Sequence, residues 1–198
     1  MNVFGHVLTN KVACGNSFNT LTSESSSEFV SNPYHKEFIN DLLTSHMVGD
    51  FCVIGPRGCG KSVAVMRLAE LLGYQVEPIL LYQDMTSRDL VQQRVTNSKG
   101  DTSWHFSPLI VAALKGKMAL LDGIHRLHHG TLAVLHRLLH DREIQLYDGK
   151  RLLRHDRYDL IKEETGETDE GMANIGIYRI HPSFRVVGLA GTTPNRGS

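Results

Sequence analysis

An excess of charge of either sign is missing from this sequence. Its 198 residues contain 21 lysines and arginines against 21 aspartates and glutamates, so the formal net charge at pH 7 is zero. Proteins that bind nucleic acid or acidic membranes usually carry surplus positive charge. The sequence also shows no aromatic stacking platform for bases. We therefore expect no nucleic-acid partner.

Cysteines and long apolar runs are also scarce. The three cysteines, Cys14, Cys52 and Cys59, are an odd number without metal-type spacing, which indicates reduced thiols in a reducing compartment. No apolar run is long enough to span a bilayer. The first 22 residues contain neither a clear secretory signal nor a clear transit peptide. These absences predict a soluble intracellular chain with no membrane span.

What is present is an alternation of strand and helix patterns. Residues 1–28 are rich in serine, threonine and asparagine and predict a flexible lead-in, whereas 29–198 read as one α/β core. Four apolar segments, "FCVI", "VEPILLY", "KMALLD" and "FRVVGLA", predict buried strands separated by helices. Such alternation indicates a parallel sheet with flanking helices, which binds its ligands at the carboxyl ends of the strands.

Between these strands the pattern is less regular. "TSRD" has the form of a capping box that opens a helix continuing to Val95, and "TNSKGDTSW" reads as a polar loop. Asp148-Gly149 predicts the turn of a β-hairpin. The polar, aperiodic residues 155–176 are interpreted as an insertion or mobile loop.

The glycine-rich turn "GPRGCGKS" follows the first strand and precedes a helix. It satisfies the pattern G-x-x-x-x-G-K-[ST], whose backbone amides surround phosphates. The predicted nucleotide-binding residues are Gly55, Pro56, Arg57, Gly58, Cys59, Gly60, Lys61, Ser62 and Val63. Lys61 is expected to reach the β- and γ-phosphates, and the Ser62 hydroxyl to bind Mg²⁺. Asp122, at the end of "KMALLD", is the second predicted Mg²⁺ ligand.

Several motifs occur in the order seen in AAA+ ATPases, a class of P-loop NTPases. They are "GPRGCGKS", "MALLDGIHR", "REIQLYDGKRLL" and "IHPSFRVVGLAGTTP". Together with "YQDMTSRDLVQQR" they resemble the dynein-related and MoxR/midasin group over residues 29–194. The resemblance implies the large AAA+ subdomain, ATP as the nucleotide, and self-association in a ring-forming mitochondrial protein. It also implies a core truncated before the fifth strand, arginine finger and helical lid, with its first strand as an exposed edge.

The sequence departs from that family where the attacking water is handled. In the family a glutamate follows the Walker B aspartate, which corresponds to Asp122 here. In this sequence the residue after Asp122 is Gly123. General-base assistance is worth about 10²–10⁴ in rate, so we expect Gly123→Glu to raise hydrolysis in any context that supplies a neighbouring subunit's arginine finger. The family's sensor asparagine is replaced by Thr192 or Thr193. The candidate catalytic residues are Thr193 and His125, the latter as a substitute base.

These departures leave three hypotheses open. The first is an ATP- and Mg²⁺-binding core whose own hydrolysis is weak or absent. The second is an active ATPase with a non-standard base, and the third is a protein-interaction module that binds nucleotide incidentally. His136 and His140 have a spacing that can bind zinc, but a solvent-facing helix side explains them better.

Overall fold

The computed structural model describes residues 33–96 and 100–192, so the predicted lead-in 1–28 and Cys14 lie outside it. The helices are α1 Pro33–Val48, α2 Lys61–Leu72, α3 Ser87–Val91, α4 Pro108–Lys115, α5 His129–His140, α6 His155–Thr165 and α7 Asp169–Asn174. The strands are β1 Phe51–Gly55, β2 Val76–Leu80, β3 Gln92–Thr96, β4 Thr102–Phe106, β5 Met118–Asp122, β6 Ile144–Gln145, β7 Arg151–Leu153, β8 Ile177–Arg179 and β9 Arg185–Gly191. None of these helices is long and apolar enough to span a membrane.

The main sheet has four parallel strands in the order β1-β9-β5-β2. It confirms the predicted α/β P-loop fold with a parallel sheet. In the register of the sheet, Gly55 lies opposite Gly191, and Asp122 lies opposite Leu80 and Leu189. The carboxyl ends of β1, β9 and β5 therefore meet along one edge, where parallel sheets of this kind bind ligands.

Helices cover both faces of this sheet, because alternate residues of a strand point to opposite faces. Met118 and Leu120 of β5 pack with helices α1 and α2, which contribute Leu42 and Leu68 among others. Ala119 and Leu121 belong to the other cluster, together with α4 and α5. The central strand β5 is consequently buried from Met118 to Leu121, as its apolar sequence predicts.

β1 is an edge strand within the described residues, since β9 is its one hydrogen-bonded neighbour there. Its burial alternates: Val53 is buried, whereas Cys52 is exposed and Ile54 is 69% exposed. The sequence predicted a fully buried strand here. That part of the prediction was wrong, because one face of β1 has no covering element in the described part of the chain.

Local helix signals in the sequence are confirmed. The Ser107 hydroxyl caps α4 by accepting the Ile110 amide at 3.3 Å, and Gly116 ends this helix at φ 68°. Thr86 and Asp89 form the predicted capping box at the start of α3. Each of these signals acts within a few residues, so it does not depend on the rest of the fold.

The segment after α3 corrects the prediction of a helix continuing to Val95. The helix ends at Val91, and β3 and β4 form an antiparallel hairpin, so the predicted polar loop contains strand residues as well. The buried Gln92 side chain explains the change. Its Oε1 accepts the Tyr147 amide at 2.8 Å and the Asp148 amide at 3.2 Å. These two bonds attach the β3–β4 hairpin to the predicted Asp148-Gly149 turn, which joins β6 to β7.

Residues 155–176 also differ from their prediction as an insertion or mobile loop. They form α6 and α7, which connect β7 to its parallel neighbour β8 in a three-stranded sheet, β6-β7-β8. Tyr158 and Met172 are buried with Leu153 in a small separate core. Polar contacts add to it: Asp159 accepts two bonds from the Arg179 guanidinium, both at 2.8 Å. So few apolar residues give no visible helical period, which is why the sequence pattern missed these helices.

Candidate nucleotide-binding site

The turn Gly55–Ser62 lies between β1 and α2, in the strand-to-helix context that the motif requires. Gly58 and Gly60 have φ angles of 80° and 82°, and a Cβ atom at either would have no heavy atom within 4 Å. Glycine is therefore needed here for its backbone conformation, not because neighbours crowd it. The residues from Pro56 to Gly60 are exposed, so the turn is open to a ligand.

The N-terminus of α2 faces this turn without a side-chain cap. Gly60 occupies the N-cap position in the left-handed conformation and offers no side-chain acceptor. The first amides of a helix lack partners within the helix, and the helix dipole is positive at this end. The same end of the helix thus presents several N–H donors, which fits a phosphate group.

Lys61 begins α2 and reaches back over the turn. Its Nζ donates to the Gly55 carbonyl at 2.8 Å and to the Pro56 carbonyl at 2.6 Å. The ammonium is therefore held within the glycine turn itself. A flexible four-carbon side chain can move from these carbonyls to phosphate oxygens, which it binds as a point charge.

Ser62 and Asp122 are the predicted Mg²⁺ ligands. Ser62 lies in the first turn of α2 and is partly exposed, and Asp122 is the exposed last residue of β5. Among residues 33–96 and 100–192 there is no group of three or more His, Cys, Asp and Glu side chains that could hold a metal ion. The Ser62 hydroxyl and the Asp122 carboxylate are oxygen donors, the ligand type that magnesium takes, and magnesium usually completes its shell with water and substrate phosphates.

Gly123 has a conformation that the sequence did not reveal. Its φ is 92°, and an added Cβ would lie 3.1 Å from the Leu81 carbonyl oxygen and 3.2 Å from Arg126 side-chain atoms. The Arg126 guanidinium donates to that same Leu81 oxygen at 3.3 Å. A glutamate at this position is strained by both backbone and neighbours. The effect of Gly123→Glu on hydrolysis stays a prediction, and we expect the substitution to lower the stability of the fold as well.

His125 lies on a 3₁₀ turn, Ile124–Arg126, directly after β5. Its Nδ1 accepts the Gly191 amide at 3.0 Å. A neutral imidazole that accepts at Nδ1 carries its hydrogen on Nε2. This arrangement favours a donor role over the proton-accepting role predicted for His125. Thr192, which follows Gly191, donates its amide to the Gly55 carbonyl at 3.2 Å. This bond connects the end of β9 to the glycine turn.

Two predicted site residues, Thr193 and Val63, take no part in the contacts described above, and neither do His136 and His140, for which the sequence favoured a solvent-facing helix side. Thr193 lies outside the described residues, and Val63 is 51% exposed on α2. The rings of His136 and His140 are 4.8 Å apart on α5, and both residues are exposed.

Sequence reasoning missed Gly191, which permits the close approach of the His125 ring. A Cβ at Gly191 would lie 3.3 Å from the His125 Cε1 atom, closer than most such contacts. The available signal was a glycine at the end of an apolar strand, which often marks a place where another group approaches the backbone. The sequence alone did not identify which group that is.

Comparison with known families decides the classification. Residues 50–198 match the family described as AAA domain (dynein-related subfamily). The chain belongs to this family. Its AAA+ fold agrees with the strand order and glycine turn described above, and the family supports nucleotide binding by this domain.

Curated relatives agree with this classification. The segments "VGDFCVIGPRGCGKS" and "DGIHRLHHGTLAVLHRLLHDREIQLYDGKRLLR" resemble an AAA+ module of von Willebrand factor A domain-containing protein 8. This chain is 57% identical to that protein from Mus musculus over 162 residues, covering 82% of this chain and 8% of the relative. It is 36% identical to protein CbbQ of Hydrogenophilus thermoluteolus over 96 residues, 48% of this chain and 36% of CbbQ. The chain thus spans a small part of the relatives it matches.

Solved structures share the AAA+ fold at low sequence identity. A Cytophaga hutchinsonii protein described as an ATPase has a TM-score of 0.53 at 16% identity, with 82% of this chain and 40% of that chain covered. NtrX from Brucella abortus in complex with ADP has a TM-score of 0.52 at 12% identity, with 83% and 31% covered. These similarities concern the fold alone.

Proposed function

We propose that this AAA+ core binds ATP with Mg²⁺ and that its own hydrolysis is weak or absent, so that nucleotide serves as a structural or regulatory ligand. One observation carries the proposal. The glycine turn Gly55–Ser62 has the groups that suit phosphate binding, whereas the residue after Asp122 is a glycine at φ 92° in place of the family's glutamate. The turn, its lysine and the helix N-terminus do not depend on that carboxylate.

Binding is assigned to particular groups of the chain. Amides of the glycine turn and of the first turn of α2 donate to the phosphates, and the Lys61 ammonium moves from the Gly55 and Pro56 carbonyls to the β- and γ-phosphates. Ser62 and Asp122 would hold Mg²⁺, the Asp122 carboxylate through water. When bound, Mg²⁺ would offset the negative charge of the phosphates.

Slow hydrolysis follows from the lack of a general base for the water that would attack the terminal phosphate. Neither Gly123 nor the Nδ1 atom of His125, which already accepts the Gly191 amide at 3.0 Å, is placed to take a proton. Losing a general base costs about 10²–10⁴ in rate. Nucleotide exchange rather than cleavage would then determine which ligand is bound.

Assembly and location are proposed from the family resemblance. We infer that the chain acts within a ring-forming ATPase of the mitochondrion, where neighbouring subunits contact the nucleotide. Particle mass with and without ATP tests the ring, and fractionation of cells expressing the natural protein tests the location. A monomer at all nucleotide concentrations would count against ring formation by this region alone.

The deciding experiment measures binding and turnover on one preparation of this chain. We expect calorimetric binding of ATP with Mg²⁺, a rise in unfolding free energy of about 2.7 kcal/mol at 100 times the Kd, and little phosphate release. Lys61→Ala should abolish both binding signals. Arg67→Ala removes a cation from the same helix, where Arg67 pairs with Glu70 on the surface, and should leave binding unchanged.

Other outcomes select the other hypotheses. Steady turnover that disappears in Lys61→Ala would show an active ATPase with a non-standard base. If ATP with Mg²⁺ neither produced heat nor raised stability, the core would be a protein-interaction module in which the glycine turn has no role.

A further inference from the structure

The His125 side chain contacts β9 at Gly191, next to the point where that strand joins the glycine turn, and the proposed binding scheme does not use it. It is exposed, and its position follows Asp122 by three residues. The contact of its Nδ1 atom with the Gly191 amide spans 66 positions of sequence. This ring is therefore placed by the tertiary fold, not by its own turn.

We propose that His125 binds the terminal phosphate of the nucleotide through its Nε2–H group and so distinguishes ATP from ADP. The inference rests on the proposed nucleotide binding. It assigns to the segment after β5 a donor function that the family resemblance places at the end of β9, where this sequence has threonine.

The tautomer of the His125 ring supports this assignment. Because Nδ1 accepts the Gly191 amide at 3.0 Å, the neutral ring carries its hydrogen on Nε2. A ring fixed in this way offers a hydrogen-bond donor at Nε2, and phosphate oxygens are strong acceptors. It offers no second acceptor for a water proton.

The position of the His125 ring in the fold also supports it. Gly191 lies opposite Gly55 in the register of the sheet, and the Thr192 amide donates to the Gly55 carbonyl at 3.2 Å. Lys61, which is expected to reach the terminal phosphates, donates to that same carbonyl at 2.8 Å. The residue that holds the His125 ring is therefore paired with the first residue of the phosphate-binding turn.

Position 191 has no side chain, which matters for the placement of the His125 ring. A Cβ there would lie 3.3 Å from His125 Cε1 and 3.5 Å from Nε2. Glycine allows the ring to lie directly against the β9 backbone. The φ angle of Gly191 is not in the left-handed region, so close packing, not backbone conformation, explains this glycine.

The test compares ATP and ADP affinities, measured by calorimetry with Mg²⁺ in the same buffer. A hydrogen bond to a charged group predicts that His125→Ala weakens ATP binding by about 10- to 100-fold and ADP binding by less than about twofold. His125→Gln, whose amide nitrogen can reach the Nε2 position, should keep most of the ATP affinity. His125→Asn keeps an acceptor for the Gly191 amide but lacks that reach, so it should behave like His125→Ala.

Two further variants separate binding from folding. Gly191→Ala keeps the histidine at position 125 but crowds its ring, and it should reduce the preference for ATP over ADP. His136→Ala removes an exposed histidine from α5 and should not change it. All variants are first compared by circular dichroism and unfolding temperature, so a loss of fold is recognised before affinities are compared.

The outcomes distinguish this inference from the proposed function. If the unchanged chain binds neither nucleotide, nucleotide binding itself fails. If Lys61→Ala loses both nucleotides while His125→Ala loses both equally, or neither, then binding stands and the role of His125 is overturned. Selective loss of ATP affinity in His125→Ala and His125→Asn, with rescue by His125→Gln, supports it.

Discussion

The guanidinium of Arg142 donates a hydrogen bond to the Asp50 carboxylate at 2.8 Å, across 92 positions of sequence. The same Asp50 oxygen accepts the Val186 amide at 2.8 Å, and Arg142 lies over the Phe184 ring at 5.1 Å. Both charged side chains are 17% exposed. Asp50 therefore attaches the beginning of β1 to the beginning of β9, opposite to the end where the glycine turn lies.

Asp50→Ala should destabilise the fold because it leaves a largely buried cation and a backbone amide without their acceptor. We expect a loss of about 1.5–3 kcal/mol of unfolding free energy, measured by urea denaturation followed by circular dichroism. Asp50→Asn keeps an acceptor for Val186 and should lose less. In a double-mutant cycle with Arg142→Ala, a coupling energy near zero would show that the pair contributes nothing.

Gly123→Glu should destabilise the chain and should not by itself produce rapid hydrolysis. The strain arises from φ 92° and from a Cβ 3.1 Å from the Leu81 oxygen; a residue held in such a conformation costs on the order of 1–3 kcal/mol. The measurement is unfolding free energy together with phosphate release. Gly123→Ala is the control, since it introduces the Cβ without a carboxylate. Full stability and a large rise in turnover for Gly123→Glu would contradict this account.

Met172→Ala should destabilise the α6–α7 region, because Met172 is fully buried in the small core with Leu153 and Tyr158. Truncating a buried methionine costs about 2–5 kcal/mol. Hydrogen exchange of residues 155–176 would report the change where it occurs. Ile175→Ala is the matched control, as Ile175 is 61% exposed in the same segment. Equal exchange in the two variants would show that this segment is not packed.

Stability should fall as the pH drops below about 6.5. Burial, aided by nearby Arg185, lowers the pKa of His46, whose ring packs edge-on to Tyr74, and burial likewise lowers the pKa of His181. The unfolded chain then binds protons more readily than the folded chain, so the stabilisation is complete above the ordinary histidine pKa of 6.5 and is lost below it.

The measurement for this pH effect is the unfolding free energy between pH 8 and pH 5.5. His46→Phe keeps an aromatic ring against Tyr74 but cannot take a proton, and it should reduce the slope. A flat profile for the unchanged chain would contradict the partial burial of both rings in their neutral form.

The fold was predictable from sequence where the signals were local. Ser107, Pro108 and Gly116 define α4 within nine positions, and the apolar run of β5 indicates a central strand. The β3–β4 hairpin was not predictable in this way. It depends on the Gln92 side chain, which binds the Tyr147 amide 55 positions away, and such a contact leaves no periodic pattern.

The candidate site likewise contains residues that local signals identified and residues whose placement depends on distant segments. The glycine turn, Lys61 and Asp122 were identified because each lies in or directly after one strand. The conformation of Gly123 depends on Leu81 and Arg126, and the contact of His125 with Gly191 depends on the pairing of β5 with β9. These relations arise only when distant segments meet, so residue types and spacing could not reveal them.

The internal bonds of Lys61 have a consequence for how tightly any anion is held. Its ammonium already satisfies the carbonyls of Gly55 and Pro56, so association is an exchange of partners rather than a gain of new ones. Gly55 keeps the Thr192 amide after the exchange, whereas Pro56 must turn to solvent. Substitutions that weaken the bonds of Lys61 to these carbonyls in the free protein would therefore strengthen anion binding. The variant with the highest anion affinity need not be the one with the most ordered glycine turn.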